Sequence, residues 1–400
     1  MSSTLSWLDY SEEDRRRIQD AVDLFRQPDT RDALGLGSIR DGFADLLSPG
    51  TSTIQTRARY FLLIPWLCLW VERSGSSKPA AARARAAELN LVEALVEAGD
   101  LEGLIGRQAR RNLKRLPSDV YWQGLEAWAI RRVGVSRDAY YRWIDDGLTM
   151  WDTAPGAEGE ESGIWHGGLP EPPPGFPGET SLSLAPAEAD YLAERVLTYW
   201  PRTLLASVIR DNCHCDGVDF PWLLPELAQM PAAIQQQVEH GRCFSETIFG
   251  AQLLYNLMLA RKRHAELDGP RGEVDRWEEE IEEWEAAVAD RSDALHAWDL
   301  EGFWAMVAES RARVSSPTAA FITRWIDHVR AGIGALDIAT DARCRDWVHD
   351  QECRVKGKQA RLVNRTMLIA WGGESGAQPL NYRWNTTKGY AEEIGRVRGV

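Results

Sequence analysis

Apolar residues recur along this chain at intervals of three and four, and no pair of alternating segments with hairpin chemistry stands out. The pattern predicts a mainly α, multi-helical protein with strand confined to short pieces. Ser11 and Asp14 form a capping box ahead of Ile18, Val22 and Phe25, which predicts a helix over 11–27 that Pro28 ends. Further helices are predicted over 38–47, from Thr53 onward with Pro65 kinking or stopping it, and over 80–99. In 103–116, Ile105, Ala109, Leu113 and Leu116 fall on one helical face and Arg107, Arg110, Arg111 and Lys114 on the other. Pro117 and Ser118 open the next helix, so the two predict a helix, tight turn, helix unit. Its second helix begins Asp119-Val120-Tyr121-Trp122, which argues against base readout by that element.

From 145 to 182 the periodicity fails. TAPGAEGEESG and LPEPPPGFPGE are acidic and rich in glycine and proline, and predict a linker or wrapping arm, with Trp151, Trp165 and Phe176 pinning parts of it to a neighbour. This suggests an N-terminal helical region over 1–145, the arm over 146–182, and a C-terminal helical region over 183–400. Helices resume over 186–200 and 232–263. In the second of these, Phe244, Ile248, Ala251, Tyr255 and Met258 form a core stripe, Gly241 and Gly250 allow close helix contact, and Ser245 and Asn256 read as satisfied core polar groups. Val274, Trp277, Ile281, Trp284 and Val288 then make a heptad seam over about two heptads, too short for an independent coiled coil.

Composition adds bounds. A hydrophobic content of 44% with 26% charged residues suits a large soluble core. No run of eighteen apolar residues and no signal-like start occurs, so the chain reads as cytoplasmic with no membrane partner. Six cysteines make no disulfide framework. Cys213-His214-Cys215 with His240 and Cys243 can be drawn as zinc ligands, but the C-x-C spacing is atypical and core cysteines are the better reading, so no metal and no cofactor is expected. The net charge of −14 argues against nucleic acid as a whole-chain property, yet the charge is segregated. Residues 273–293 hold ten acidic side chains and two arginines, whereas 103–116 hold five basic and no acidic ones.

The densest chemistry lies between Thr30 and Leu69. Arg31, Asp32, Arg40, Asp41 and Asp45 precede a loop over 48–53, and Gln55, Arg57 and Arg59 lead into the most apolar run of the chain. A helix beginning at Thr53 would leave outward N–H groups beside Thr51, Ser52 and Thr53 that suit a phosphate, with Arg57 one turn on as a second contact. The competing reading is an internal clamp in which Arg57 pairs with Asp41 or Asp45. A second cationic group, Lys356, Lys358, Arg361 and Arg365 with Arg354, stands against Glu352, and the tail places Arg383 between Tyr382 and Trp384. No P-loop, G-x-S-x-G or H-E-x-x-H occurs, and Asp350-x-Glu352 followed by Lys356 is only a faint echo of a metal-dependent nuclease.

The segments LSWLDYSEED, TRDALGLGSIRDGFADLLSPGTSTIQTRARYF, LPSDVYWQGL, CFSETIFGAQLLYNLMLA and KGKQARLVNRTMLIAWGGESG, in this order, resemble an uncharacterised bacterial domain-of-unknown-function family, number six-three-six-one. The resemblance runs from Leu5 to about Tyr390, implies a bacterial protein, and supplies no catalytic residues. The resemblance also implies a setting among anti-phage and DNA-modification genes. The expectation is a non-enzymatic nucleic-acid or phosphate-binding component of a bacterial complex, in an anti-phage setting. One alternative is a nuclease-like enzyme on phosphate esters, with the arginines as clamp and Asp32, Asp41 or Asp45 as base or metal ligand. The other is a scaffold subunit whose acidic helix at 273–293 or arm at 146–182 binds a protein partner.

Overall fold

The computed structural model describes residues 32–75, 77–147 and 163–399. The helix expected over 11–27, Arg31 and Trp151 lie outside these. The fold is mainly α. Among the described residues the β pairing amounts to one isolated bridge between Arg131 and Trp165.

The chain forms two compact units, each made from distant segments: 1–41 with 240–380, and 42–239 with 381–400. The division falls inside helices α1 (Gly37–Leu47) and α8 (Ala232–Leu267). The second unit contains α2 (Tyr60–Arg73), α3 (Ala80–Glu97), α4 (Pro117–Ala127), α5 (Arg137–Asp145), α6 (Pro186–Tyr199), α7 (Leu204–Arg210) and the last helix, α15 (Trp384–Arg398). The first unit contains α9 (Arg271–Asp290), α10 (Ser292–Ala297), α11 (Leu300–Glu309), α12 (Ser316–Gly332), α13 (Ala342–Lys356) and α14 (Arg365–Ile369).

Local chemistry explains most helix starts. Proline occupies the first turn of α4, α6 and α12, where its missing N–H costs nothing. Ser136, Thr203, Asp299, Ser315, Asp341 and Asn364 each accept a backbone N–H as side-chain caps. In the first unit the heptad seam of α9 is buried at all five positions. A Cβ on Gly250 would lie 2.4 Å from the Trp284 ring, so glycine there is what lets α9 lean against α8. Trp284 Nε1 donates to the Glu246 carbonyl at 2.7 Å and Trp325 Nε1 to the Thr247 carbonyl at 2.9 Å, which satisfies two indoles inside the core. Ser245 and Asn256 are the satisfied core polar groups the pattern implied: Ser245 Oγ accepts from Leu380 N at 2.8 Å, and Asn256 Oδ1 accepts from Ser375 N at 2.8 Å.

Three expected elements take another form. No helix begins at Thr53. The chain from Ser48 to Arg59 is a folded-back loop and α2 starts at Tyr60, because the side chains that resemble caps turn inward on the loop itself. Thr51 Oγ1 donates to the Ser48 carbonyl at 2.6 Å, and Gln55 bridges the Ser52 N–H (2.9 Å) and the Gly50 carbonyl (3.1 Å). Pro65 does not stop α2, which continues to Arg73 with Tyr60 to Cys68 buried. The stretch 103–116 is not a helix either, so there is no helix, turn, helix unit and no single cationic helical face. It is a series of turns with a short 3-10 piece at Arg110–Asn112. Gly103, Gly106 and Arg110 all have positive φ, and a Cβ on Gly106 would come 2.7 Å from Leu113 Cδ2. The apolar spacing was real but served a different geometry: Leu113 and Leu116 pack on Val92, with Ile105 and Ala109 against them.

Candidate functional site

Gln55, Arg57 and Arg59, ahead of α2, form an internal network. Arg59 is buried and forks onto Glu188 of α6, Nε to Oε2 at 2.8 Å and Nη2 to Oε1 at 2.6 Å. Its remaining nitrogen donates to the carbonyl (2.8 Å) and hydroxyl (3.0 Å) of Ser181. Arg57 pairs with Glu393 of α15 at 2.5 Å, and donates to the carbonyls of Glu102 at 3.1 Å and Leu182 at 3.5 Å. Both candidate partners from the sequence, Asp41 and Asp45, are therefore replaced by a carboxylate from the far end of the chain. Glu393 also accepts the Ala58 N–H at 2.9 Å, and burial pushes its carboxyl up, with Arg57 opposing the shift. Gln55 Oε1 receives the Tyr390 hydroxyl at 3.1 Å.

Around this network, Arg383 (φ +63°) donates to Asp45 at 2.6 Å and to the Thr51 carbonyl at 2.8 Å. Its neighbours Tyr382 and Trp384 are buried, and Trp384 Nε1 donates to the Val218 carbonyl at 2.9 Å, so they are core rather than a stacking platform. Ser52 is half-buried and Thr53 exposed. In the first unit, Arg40 pairs with Asp41 at 3.1 Å with both side chains about half exposed, and Asp32 caps the Gly37 N–H.

The C-terminal cationic group separates in the same way. Arg361 is buried and donates to Ser375 Oγ. Glu352, which the faint nuclease pattern needed as a metal ligand, is fully buried and accepts the Arg361 N–H (2.7 Å), the Leu362 N–H (2.9 Å) and the Tyr255 hydroxyl (2.5 Å). It is a structural acceptor. Lys356 lies 5.9 Å from the Tyr255 ring, and Lys358 and Arg365 are exposed.

The basic segment of the second unit behaves differently. Arg107, Arg111, Lys114 and Arg115 are exposed and form no ion pair among the described residues, while Arg110 is tied to Glu93. Four solvated cations thus stand together within nine residues of a chain that is acidic overall.

A cavity of about 820 Å³ also lies in the second unit. Trp66, Trp70, Tyr140, Trp143, Trp165 and Phe176 line it, with Glu72, Arg73, His166 and Glu171 as its ionisable groups. Sequence reasoning marked Trp165 and Phe176 as pinned, and missed Glu72, Tyr140 and Trp143, whose helices α2 and α5 are remote in sequence. The arm is held here by Trp66 Nε1 on the Pro170 carbonyl at 2.7 Å and by Arg132 N on the Ile164 carbonyl at 2.8 Å. Tyr140 donates to Glu72 Oε1 at 2.5 Å, and burial of the carboxyl end raises the Glu72 pKa. His166 Nε2 lies 2.5 Å from Arg195 Nη1 and Nδ1 lies 3.3 Å from the Tyr191 hydroxyl. Burial and the Arg195 charge both lower its pKa, so the ring is neutral near pH 7.

Cys213, Cys215 and Cys243 are buried, and burial pushes the first two thiols up to about 11 and about 12, as befits apolar core cysteines. A different set, His328, Asp341 and Cys344, places its donor atoms within 4.8 Å of one another. Its carboxylate is already engaged, capping α13 at Arg343 N (2.8 Å) and holding the Arg343 guanidinium at 2.8 Å.

The chain matches the family of unknown function DUF6361 over residues 1–397, nearly its whole length. It belongs to that family. No curated protein and no solved structure gave a match. Among the described residues no helix is long and apolar enough to cross a membrane.

Proposed function

We propose that this chain is a non-enzymatic binding component that docks on the phosphate backbone of nucleic acid through the exposed segment from Arg107 to Arg115. One observation carries the reading. Arg57, Arg59, Arg137 and Arg383 of the second unit are matched to carboxylates, yet among the described residues Arg107, Arg111, Lys114 and Arg115 are left solvated and without a carboxylate partner, four cations within nine residues and no acidic residue between 103 and 116. Solvated cations at this density attract polyanions by releasing condensed counterions, without reading bases. Of the arginines proposed as a phosphate-ester clamp, Arg57 and Arg59 are engaged internally, whereas Arg40 stays half exposed beside Asp41, which makes that enzyme the weaker reading. A protein-binding role for α9 keeps one, in the exposed and unpaired Glu279, Glu282 and Glu283.

The test is fluorescence anisotropy on duplex and single-stranded DNA and RNA at several salt concentrations. The double variant Arg107→Glu, Arg111→Glu should weaken binding evenly across sequences and reduce the salt slope by about two. Absence of binding by the wild type, or unchanged binding by the variant, would remove this segment from any such role.

A further inference from the structure

We propose that the aromatic cavity of the second unit binds a quaternary or fully alkylated ammonium group, walled by Trp66, Trp70, Trp143 and Phe176 and countered by Glu72. The proposal is independent of nucleic-acid binding at 107–115. The first argument is the arrangement of the rings. Trp66 and Phe176 stand at 73° with centroids 5.5 Å apart, and Trp165 meets Tyr140 at 86° and 5.8 Å. Each pair is packed edge to face, so the lining is not the pair of parallel faces that holds a nucleobase. Ring faces carry negative electrostatic potential, and a weakly hydrated alkylated cation is the ligand that loses least water on meeting them.

The second argument is charge. The Glu72 carboxylate belongs to the cavity lining and is fixed by a hydrogen-bond relay: Trp165 Nε1 donates to the Tyr140 hydroxyl at 3.3 Å, which donates to Glu72 Oε1 at 2.5 Å. Among the described residues neither Glu72 nor Glu171, the second acid of the lining, lies within ion-pair distance of a cation, although Arg73 acts on Glu72 from farther off. Arg73 is the opposing charge on the lining, and His166 is neutral. Trp70 keeps 42% of its surface exposed, which leaves its ring open to a ligand. The volume of about 820 Å³ exceeds what the headgroup needs, so the cavity also takes part of what carries it, either a small molecule such as a choline derivative or an alkylated lysine side chain.

Calorimetric titration of the full chain with choline, with N-acetyl trimethyllysine amide, and with neutral 3,3-dimethylbutanol decides the matter. We expect saturable binding of at least one cation, at least about tenfold tighter than the neutral isostere, and a loss of about tenfold in Glu72→Gln. The preferred cation identifies the source. Trp70→Ala, at an exposed position, should weaken binding too and serves if Glu72→Gln does not fold. Equal binding of the isostere, binding unaffected by either substitution, or saturation by a nucleoside while both cations fail, would each overturn the proposal.

Discussion

Arg57 and Arg59 on one side, and the cations between Arg107 and Arg115 on the other, lie in the same unit and end in opposite states. Arg59 sits one residue before a helix whose next nine side chains are buried, so its head is drawn into a low-dielectric setting and persists there because Glu188 and Ser181 satisfy it. The 103–116 segment buries only its leucines, and the turns at Gly103, Gly106 and Arg110 leave Arg107, Arg111, Lys114 and Arg115 in water. Arg110 is the intermediate case, half-exposed and paired with Glu93. Residue type and local density were alike in the two stretches. What differed was whether the fold delivered a carboxylate, and that decides whether a guanidinium is a strut or a contact surface.

The largest break in this comparison should come from Arg59→Ala. It strands the buried Glu188 carboxylate and should cost about 3–5 kcal/mol in urea unfolding. Arg57→Ala should cost less, about 2 kcal/mol, since Arg57 and Glu393 retain 18% and 15% of side-chain exposure against 6% and 7% for the Arg59 pair. Equal losses would mean that depth of burial does not rank these pairs.

A buried carboxylate without a directly paired arginine sharpens the contrast. Glu88 accepts the Ser118 N–H at 2.8 Å and hydroxyl at 2.7 Å, while Arg137 bonds that hydroxyl and pairs with Asp119, each at 2.7 Å, rather than with Glu88. Burial pushes Glu88 up to about 7 from an ordinary 4.5. The folded state therefore keeps a proton that the unfolded chain has released, and the stability this group contributes is full below about pH 4.5 and lost as pH rises through about 7. The wild type should lose up to about 3 kcal/mol across that window, and Glu88→Gln should flatten the curve. A variant whose pH profile matches the wild type would remove Glu88 as the cause.

The smallest effect on stability belongs to the exposed segment. Arg107→Glu with Arg111→Glu should leave unfolding within about 0.5 kcal/mol of wild type. A larger loss would show that these cations support the fold, and would blur the line drawn between the two stretches.

Much of the helical plan was legible because it rests on local rules. Pro117 and Pro186 at first turns, the 3.6-residue stripes of α8 and α9, and the run from Ala80 place helices within a few residues of where they form. The misreadings share a cause. Pro49-Gly50-Thr51-Ser52-Thr53 looks like a helix start until Gln55 and Thr51 are seen to close the loop on itself, and the apolar spacing of 103–116 is helical although the chain there turns at positive φ. The Arg/Asp set was visible as unusual, but its partners were not, since Glu188 and Glu393 lie far downstream.

The sequence alone determined that this is a helical chain, which segments must be buried, and where charge of one sign collects, because propensity, periodicity and composition act over a few residues. Tertiary structure alone decided which arginines meet carboxylates, that Glu72 and Tyr140 share a cavity with Trp165 and Phe176, and that the basic stretch is a row of turns rather than a helix. Those outcomes depend on contacts between residues distant in the chain, where Coulomb attraction and desolvation depend on separation in space, which a linear sequence does not contain.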